Sequence, residues 1–485
     1  MKKTYHSEIF LGLVAPVGTD LNHICDRIQN FLSGHYKYNP QLIRLSDLIH
    51  RVGGVKTKID TSSEYNRINS AMTAGNEARS GEERSDILAR CSILEIQKLR
   101  GLNQPTQNNV YIIRSIKTPG EANVFRTVYG RGYFQLGFFS SRKDRIEYLH
   151  KIEGMTKDEA NKLINRDEDE NDEFGQQARN SFHGSDVFFD VNDKDFDGHL
   201  KRFFDLIFGS PYITPTKDEF NMHLAFTSSF RSCDLSRQVG AVVVNQDGEI
   251  ISTGCNDVPK FGGGLYWADD PNDARDFLKG FDPNEKEQNR IATRIVDKVQ
   301  KLVKDKKNFV KEIGEILNES GIFEITEYGR IVHAEMDALL TCSRIGVSPK
   351  GGTLYTTTYP CHNCAKHIIA SGIKRVVFIE PYQKSKAIQL HSDSLGSGKQ
   401  KDEVVLSTFI GVGPRRFIDL FSLNFSNGIK IKRKEKGKIV EWKEQNALFR
   451  FPLLGLSYLD KEISIGGELG KGLENAKKQK AIKKR

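Results

Sequence analysis

The sequence lacks any long apolar run. No stretch of the 485 residues approaches the roughly 18 consecutive apolar residues of a membrane helix, so no membrane span is predicted. The chain starts with Lys2-Lys3 and a short apolar run, 9–14. We interpret this run as a buried strand and not as a secretory signal, because Glu8 and Pro16 flank it and no small-residue cleavage site follows. Hydrophobic residues make up 38% and charged residues 28%, which is typical of a soluble globular protein.

Cysteine is scarce, scattered and odd in number, which argues against a disulfide scaffold. The seven cysteines are residues 25, 91, 233, 255, 342, 361 and 364. This usage predicts a reducing compartment, the cytoplasm. Cys25, Cys91 and Cys342 have apolar neighbours in the sequence, so we expect them to be small core residues.

Positive charge is also sparse once its position is considered. The formal net charge is +9, but residues 470–485 contribute +6 of it. The other 469 residues carry only +3, which is little for a protein that tracks a nucleic-acid backbone. We interpret 470–485 as a solvated basic tail, with nucleic-acid contact as the less favoured alternative.

The pattern of apolar residues predicts two α/β domains. Residues 1–205 alternate apolar runs, at 9–15, 110–116, 133–139 and 187–191, with helical periodicity, which favours a parallel sheet flanked by helices. The acidic stretch 167–177 is predicted to be an exposed loop or a frayed helix end. A second domain, 206–469, is predicted to follow a boundary near Gly209-Ser210-Pro211, with a helix capped by Thr216 and Glu219.

The second domain contains a hairpin and an insertion. Runs at 240–244 and 249–254 are joined by Asn245-Gln246-Asp247-Gly248, a strong turn signal. Residues of about 262–328 are rich in charge and carry helical periodicity. We expect this insertion to be helical and to lie near the mouth of a site.

Two motifs carry the chemistry of the chain. His333-Ala334-Glu335 and Pro360-Cys361-His362-Asn363-Cys364 are separated by 24 residues. Each motif runs into good helix formers, and apolar runs at 353–357 and 375–379 read as strands beside them. The metal ligands predicted here are His333, Cys361 and Cys364, a set that leaves the fourth tetrahedral position of Zn²⁺ open for water.

A catalytic zinc site is favoured over a structural one. A structural site needs a fourth ligand and has no use for a carboxyl two residues from the histidine. His362 is the one extra candidate ligand, but its offset between the cysteines favours contact with solvent or substrate. We predict Glu335 to be the catalytic acid/base, which takes a proton from the attacking water and returns it to the substrate.

The paired motifs resemble the H-x-E…P-C-x-x-C signature of zinc-dependent nucleobase deaminases. From about 215 to 420 the chain further resembles the deoxycytidylate deaminases of the cytidine deaminase superfamily. The stretches that carry this resemblance are 235–244, 254–257 and 370–376. It implies that Asn256 contacts the sugar and that the main chain of Ala334 touches the pyrimidine edge. Asn256 could instead be a turn residue. Arg237 either binds phosphate or pairs with a surface acid.

The whole arrangement is similar to a narrower family, the bacterial anti-phage deoxycytidine nucleotide deaminases. Stretches 115–130 and 258–267 carry this similarity. It implies an amino-terminal domain, 1–205, that is like a P-loop nucleotide kinase, joined to a cytidine-deaminase-like α/β/α zinc domain with a helical insertion. It also implies depletion of deoxycytidine nucleotides during infection, restraint by a small inhibitory RNA, and a homo-oligomer.

The amino-terminal domain departs from a working phosphate loop. Gly12 and Gly18 are one residue further apart than the standard spacing, and Thr19-Asp20 replace the usual lysine and hydroxyl residue. Backbone N–H groups before a helix can still bind an anion. Regulatory nucleotide binding at Gly12, Gly18, Thr19 and Asp20 and a purely structural turn remain open, and both are favoured over phosphoryl transfer.

Three functions compete. The favoured one is zinc-dependent hydrolytic deamination of dCTP or dCMP to dUTP or dUMP. The second is deamination of a base in tRNA or single-stranded DNA, which uses the same chemistry on a flipped base but usually needs a basic track. The third is a nucleotide sensor with an inert zinc site, which an intact Glu335 disfavours.

Overall fold

Two six-stranded sheets organise the protein. The computed structural model describes residues 7–101, 105–169, 178–301, 309–325, 327–380, 385–398, 402–453 and 457–467, so the basic tail lies outside the described residues. The strands are β1 (Ile9–Val14), β2 (Asn39–Arg44), β3 (Asn109–Arg114), β4 (Tyr133–Phe139), β5 (Val187–Asp190), β6 (Gly240–Val244), β7 (Ile250–Cys255), β8 (Thr353–Thr358), β9 (Arg375–Glu380), β10 (Leu395–Gly396), β11 (Val404–Thr408), β12 (Gly411–Val412), β13 (Lys434–Glu435) and β14 (Lys438–Ile439).

The helices alternate with these strands through most of the described chain. They are α1 (Leu21–Tyr36), α2 (Glu64–Gly81), α3 (Ile87–Arg100), α4 (Pro119–Tyr129), α5 (Arg142–Lys151), α6 (Lys157–Asp169), α7 (Ala178–His183), α8 (Phe196–Ile207), α9 (Lys217–Ser229), α10 (Asp276–Lys279), α11 (Pro283–Gln300), α12 (Phe309–Glu319), α13 (Ala334–Ile345), α14 (His362–Ala370), α15 (Ala387–Leu390) and α16 (Phe417–Phe421). Within the described ranges, every helix is too short or too polar to serve as a membrane span.

The first sheet has the strand order β12-β5-β4-β1-β3-β2. Strands β1 to β5 pair in parallel, and β12 pairs antiparallel with β5. β1 is central because its sequence, IFLGLV, is apolar and buried along its whole length. The predicted parallel sheet with flanking helices is thus confirmed, whereas the mostly polar edge strand β2 was not predicted.

The second sheet has the order β10-β11-β9-β8-β6-β7. β6 pairs antiparallel with β7, as the predicted hairpin requires, and Gly248 in its turn has a φ of +89°. β8 and β9 are parallel and flank the crossover helix α14. A Cβ on Gly254 of β7 would lie 2.3 Å from the carbonyl oxygen of Ala334, so only glycine lets this strand approach the start of α13 so closely.

The chain divides into two compact units. The first unit contains the chain up to Glu219 and again from Ile410 onward, and the second unit is Phe220–Phe409. The carboxyl-terminal part therefore groups with the first unit, and not, as predicted, with a second domain that runs to residue 469. The physical reason is burial: β12 extends the first sheet, and Phe449 and Phe451 pack in its core against Phe134.

Candidate active site

The first motif forms the start of α13. His333 is the residue before the first turn, with extended backbone (φ −70°, ψ 155°), and its carbonyl accepts from the N–H of Asp337. An antiparallel bridge between Val332 and Asp257 ties the segment before the helix to the end of the hairpin. Glu335 lies in the first turn, with only 4% of its surface exposed. The helix start therefore holds an imidazole and a buried carboxyl side by side.

The second motif forms the start of α14, which follows β8. Cys361 caps this helix, since its sulfur accepts a hydrogen bond from the N–H of Cys364 at 3.4 Å. Helix amino termini carry partial positive charge, which favours the thiolate form of Cys361, the residue that caps this helix. The structure thus confirms the prediction that both motifs open helices beside the strands of one sheet.

Three atoms of these motifs converge as metal ligands would. The Nδ1 atom of His333 lies 3.3 Å from the sulfur of Cys361 and 3.3 Å from that of Cys364. All three atoms lie within 4.8 Å of one another, the only such group of three among the described residues. A tetrahedral zinc ion, with bonds of about 2.0–2.1 Å to nitrogen and 2.3 Å to sulfur, holds such ligands about 3.5 Å apart. The donor set therefore fits zinc.

The pKa values of the site show how strongly the groups interact. Hydrogen bonding from Cys364, and then from His333, lowers the pKa of the Cys361 thiol to about 4. Burial raises the pKa of the Cys364 thiol, and the hydrogen bond with Cys361 and the charge of Glu335 act in the same direction. A divalent ion makes both sulfurs thiolates. Burial also raises the pKa of Glu335, which suits a carboxyl that must both accept and donate a proton.

A cavity of about 530 Å³ opens in front of these groups. Most of the predicted site residues line it, whereas Cys364 is fully buried behind it. The predicted residues in its wall are Arg237, Asn256, His333, Ala334, Glu335, Cys361 and His362. His362 contributes no atom to the donor set, and its Nδ1 atom is buried without a hydrogen-bond partner among the described residues.

Asn256 and Arg237 occupy the wall in different ways. The Oδ1 atom of Asn256 accepts from the N–H of Val239 at 2.7 Å, and its Nδ2 atom donates to the carbonyl of Arg237 at 2.9 Å. Asn256 therefore holds the 237–239 segment in place and keeps one amide hydrogen for a ligand. The Arg237 side chain is 48% exposed and lies 3.5 Å from Glu380, a long ion pair.

The insertion supplies cavity residues that sequence reasoning missed. Asp276 and Asn284 of the insertion line the cavity, as do Arg330, just after the insertion, and Lys386, which follows the second motif in the sequence. Asp276 accepts from Arg330 at 2.5 Å, and Asn284 holds the backbone of Ile325. The charge and helical periodicity of the insertion predicted helices near the site, but no motif marked these individual residues.

The four residues of the degenerate phosphate loop lie in the first unit. Gly12 is in the middle of β1, where a Cβ would lie 2.2 Å from the hydroxyl oxygen of Tyr133, so packing explains this glycine. Gly18 has a φ of +90°. Asp20 caps α1 by accepting from the N–H of His23. The hydroxyl of Thr19 is buried without a hydrogen-bond partner in the described ranges.

A carboxylate fills this turn. The Oδ2 atom of Asp167 accepts from the N–H of Val17 at 2.8 Å, and its Oδ1 atom pairs with Lys117 at 3.0 Å. The stretch 167–177 was predicted to be an exposed loop or a frayed helix end. Asp167 is only 5% exposed and lies in the last turn of α6, so the exposed loop is wrong at this residue, and 170–177 lie outside the described residues. The reason is that α6 continues to Asp169 and carries this carboxyl under the turn. An anion at the turn would have to displace Asp167.

Known proteins are similar to the part of the chain that contains both motifs. The profile of the cytidine and deoxycytidylate deaminase zinc-binding region matches residues 215–380. The deoxycytidylate deaminase of enterobacteria phage T2 is 34% identical over 165 residues, 34% of this chain and 80% of its own length. ComE operon protein 2 of Bacillus subtilis is 50% identical over 54 residues, 11% and 29% of the two chains. The mouse deoxycytidylate deaminase is 29% identical over 161 residues, 33% and 63% of the two chains.

The donor set, the buried acid and this match define a zinc-dependent deaminase. The chain belongs to the cytidine and deoxycytidylate deaminase family.

Proposed function

We propose that the protein deaminates deoxycytidine nucleotides hydrolytically, converting dCMP, dCTP or both to the uracil nucleotides. The observation that carries this proposal is the buried carboxyl of Glu335, which shares a cavity with His333 and Cys361 and with no fourth protein ligand in the described chain. Relatives named deoxycytidylate deaminases, at 34% identity in phage T2, support the choice of base and sugar.

The residues of the chain divide the chemistry among them. His333, Cys361 and Cys364 would hold zinc, which when bound supplies the Lewis acidity that makes water a nucleophile near neutral pH. Glu335 takes a proton from the attacking water and delivers it to N3 of the ring, which leaves C4 with both a hydroxyl and an amino group. Glu335 then moves the hydroxyl proton to the departing amine, so that ammonia leaves and the C4 carbonyl forms. Ala334 and Asn256 position the pyrimidine and the sugar.

Cationic side chains at the cavity support a phosphorylated substrate. Arg237 and Lys386 both line the cavity, and the Arg237 side chain is 48% exposed, with Glu380 at the long distance of 3.5 Å. A phosphate would offer Arg237 shorter, charge-assisted hydrogen bonds. We therefore assign Arg237 to the phosphate of the substrate.

A substrate panel tests the proposal. The purified full-length protein, loaded with zinc, is incubated with deoxycytidine, dCMP, dCTP and a cytosine-containing single-stranded oligonucleotide, and released ammonia is measured. We expect turnover of dCMP, dCTP or both, and none of the oligonucleotide. Turnover of the oligonucleotide alone would overturn the proposal in favour of polynucleotide editing. No turnover of any substrate would favour a sensor with an inert site.

The biological setting that the resemblance implies is part of the proposal. We propose that the protein depletes deoxycytidine nucleotides during phage infection. Similarity of stretches 115–130 and 258–267 to anti-phage deaminases supports this role. Phage plating efficiency on cells that carry the wild type or Glu335→Ala tests it, and equal plating would contradict it. The small inhibitory RNA, the homo-oligomer, the cytoplasmic location and nucleotide binding in the first unit stay predictions.

A further inference from the structure

Two arginines lie side by side at the carboxyl ends of β2 and β3 in the first unit. Arg44 and Arg114 are register partners in this parallel pair, so their side chains leave the sheet on the same face. Both guanidinium groups donate to a single oxygen, Oδ1 of Asn22, at 3.1 Å and 2.7 Å. Two cations therefore share one neutral acceptor.

Carboxylates do not neutralise this pair. Within the described ranges, neither Arg44 nor Arg114 makes an ion pair, and the Nε atom of Arg114 is buried without a hydrogen-bond partner. Burial lowers the pKa of Arg114, and the charges of Arg44 and Arg67 act in the same direction, whereas Cys25 and Asp47 oppose it.

Arg44 is exposed and Arg114 is half-buried, whereas the fully buried guanidinium groups of Arg79 and Arg100 have partners within the fold. Arg79 pairs with the buried Glu121 at 2.9 Å, and Arg100 pairs with both Glu8 and Glu462 at 2.9 Å and 2.7 Å. These arginines are neutralised from within the fold. Arg44 and Arg114 have no such partner among the described residues, and solvent reaches them, so an anion from solution could pair with both guanidinium groups.

The position of the pair is suited to a ligand. Open α/β sheets bind ligands outside the carboxyl ends of their parallel strands. Asn22 is exposed and lies in the first turn of α1, so the partial positive charge of that helix adds to the two guanidinium groups. The turn at Gly18, where a phosphate loop would hold its anion, is filled by Asp167.

We propose that Arg44, Arg114 and Asn22 form a second anion site, which binds the phosphate groups of a small ligand and is distinct from the deaminase cavity. Phosphate fits because its oxygens match the planar fork of a guanidinium, and because a dianion offsets both positive charges. Asn22 can rotate to present its amide N–H groups to the same oxygens. This site goes beyond the proposed deamination and does not depend on it.

Calorimetric titration of the full-length protein with inorganic pyrophosphate tests the site. We expect Arg44→Gln and Arg114→Gln each to weaken binding about tenfold, and the double variant to weaken it further, because each removes one charge-assisted contact. Arg27→Gln is the matched control, since Arg27 lies on the same α1 but pairs with Asp197 at 2.7 Å. Arg237→Gln controls for binding in the deaminase cavity.

The outcomes separate the alternatives. Binding that only the Arg44 and Arg114 variants weaken supports the site, and tighter binding of ADP than of pyrophosphate adds a nucleoside to the ligand. Absence of binding by the wild type, or binding that only Arg237→Gln removes, overturns the proposal. Binding of a single-stranded oligonucleotide but not of pyrophosphate also overturns it. If the double variant fails to fold, Arg44→Gln alone decides, because Arg44 is exposed at a strand end.

Discussion

Both units have helices that start beside an open sheet, yet they use these helix starts differently. In the second unit, α13 and α14 begin with His333 and Cys361, whose side chains face the cavity. In the first unit, the turn between β1 and α1 is closed by Asp167 and capped by Asp20. The difference teaches that a helix start becomes a ligand site only where the fold leaves its polar groups unsatisfied.

Among the substitutions that test this comparison, removal of a metal ligand should have the largest effect on activity. Cys364→Ser is expected to lose the zinc and to reduce deamination to background, because serine is a poor replacement for a thiolate ligand. Elemental analysis and ammonia release measure the two effects. Cys233→Ser is the matched control, since Cys233 is an exposed cysteine outside the donor set. A Cys364→Ser protein with one zinc per chain and full activity would contradict the site.

Neutralising the buried acid Glu335 should have the second-largest effect on activity. Glu335→Gln is expected to keep the zinc and to lower kcat by about 10²- to 10⁴-fold, the usual contribution of a general acid/base. Glu327→Gln makes the same change at an exposed acid that lines the same cavity, and should alter the rate little. An unchanged kcat in Glu335→Gln would show that another group moves the proton.

In the first unit, removing the carboxylate that closes the turn after β1 should lower stability and leave the deamination chemistry unchanged. Asp167→Ala removes the acceptor of the Val17 N–H and leaves Lys117, which is 15% exposed, without its partner. We expect the free energy of opening around β1 to fall by about 3 kcal/mol. Hydrogen exchange of peptides that span 9–20 measures it, with the exposed Asp158→Ala on the same helix as control. Unchanged protection would mean that the carboxylate does not hold the turn.

The smallest effect should come from the cation at the cavity wall. Arg237→Gln is expected to raise KM for dCMP about tenfold, or about 1.4 kcal/mol, with kcat unchanged. Deoxycytidine, which has no phosphate, serves as the control substrate and should show no change in KM. Equal changes in KM for both substrates would remove Arg237 from phosphate recognition.

The zinc set was predictable because its chemistry is local. A histidine with a carboxyl two residues later, and two cysteines three residues apart, each belong to one helix start. The spacing within each motif therefore already places its ligands at one helix start. Only the approach of the two helix starts to each other depends on the sheet. Asn256 was predicted as a site residue too, but its two hydrogen bonds to the 237–239 segment could not be read from its sequence neighbours.

Long-range burial was not predictable in the same way. β12 has only two residues and carries no strand pattern, yet it directs the chain from Ile410 back to the first sheet. Helix α6 is charged, and nothing in its periodicity shows that Asp167 is enclosed near Val17, 150 residues away. Such contacts depend on which surfaces of the chain meet in the folded protein. The polarity pattern of the sequence does not determine this.

The amino-acid sequence alone determined the cluster of one histidine and two cysteines, the acid beside it and the alternation of strands and helices, because each of these is encoded within one or two turns of chain. Only the tertiary structure decided that the turn after β1 is closed by a carboxylate, that Arg44 and Arg114 share one amide oxygen, and which insertion residues line the cavity. The physical reason is that satisfaction of charge and of buried hydrogen bonds depends on neighbours in space, which come from distant parts of the chain.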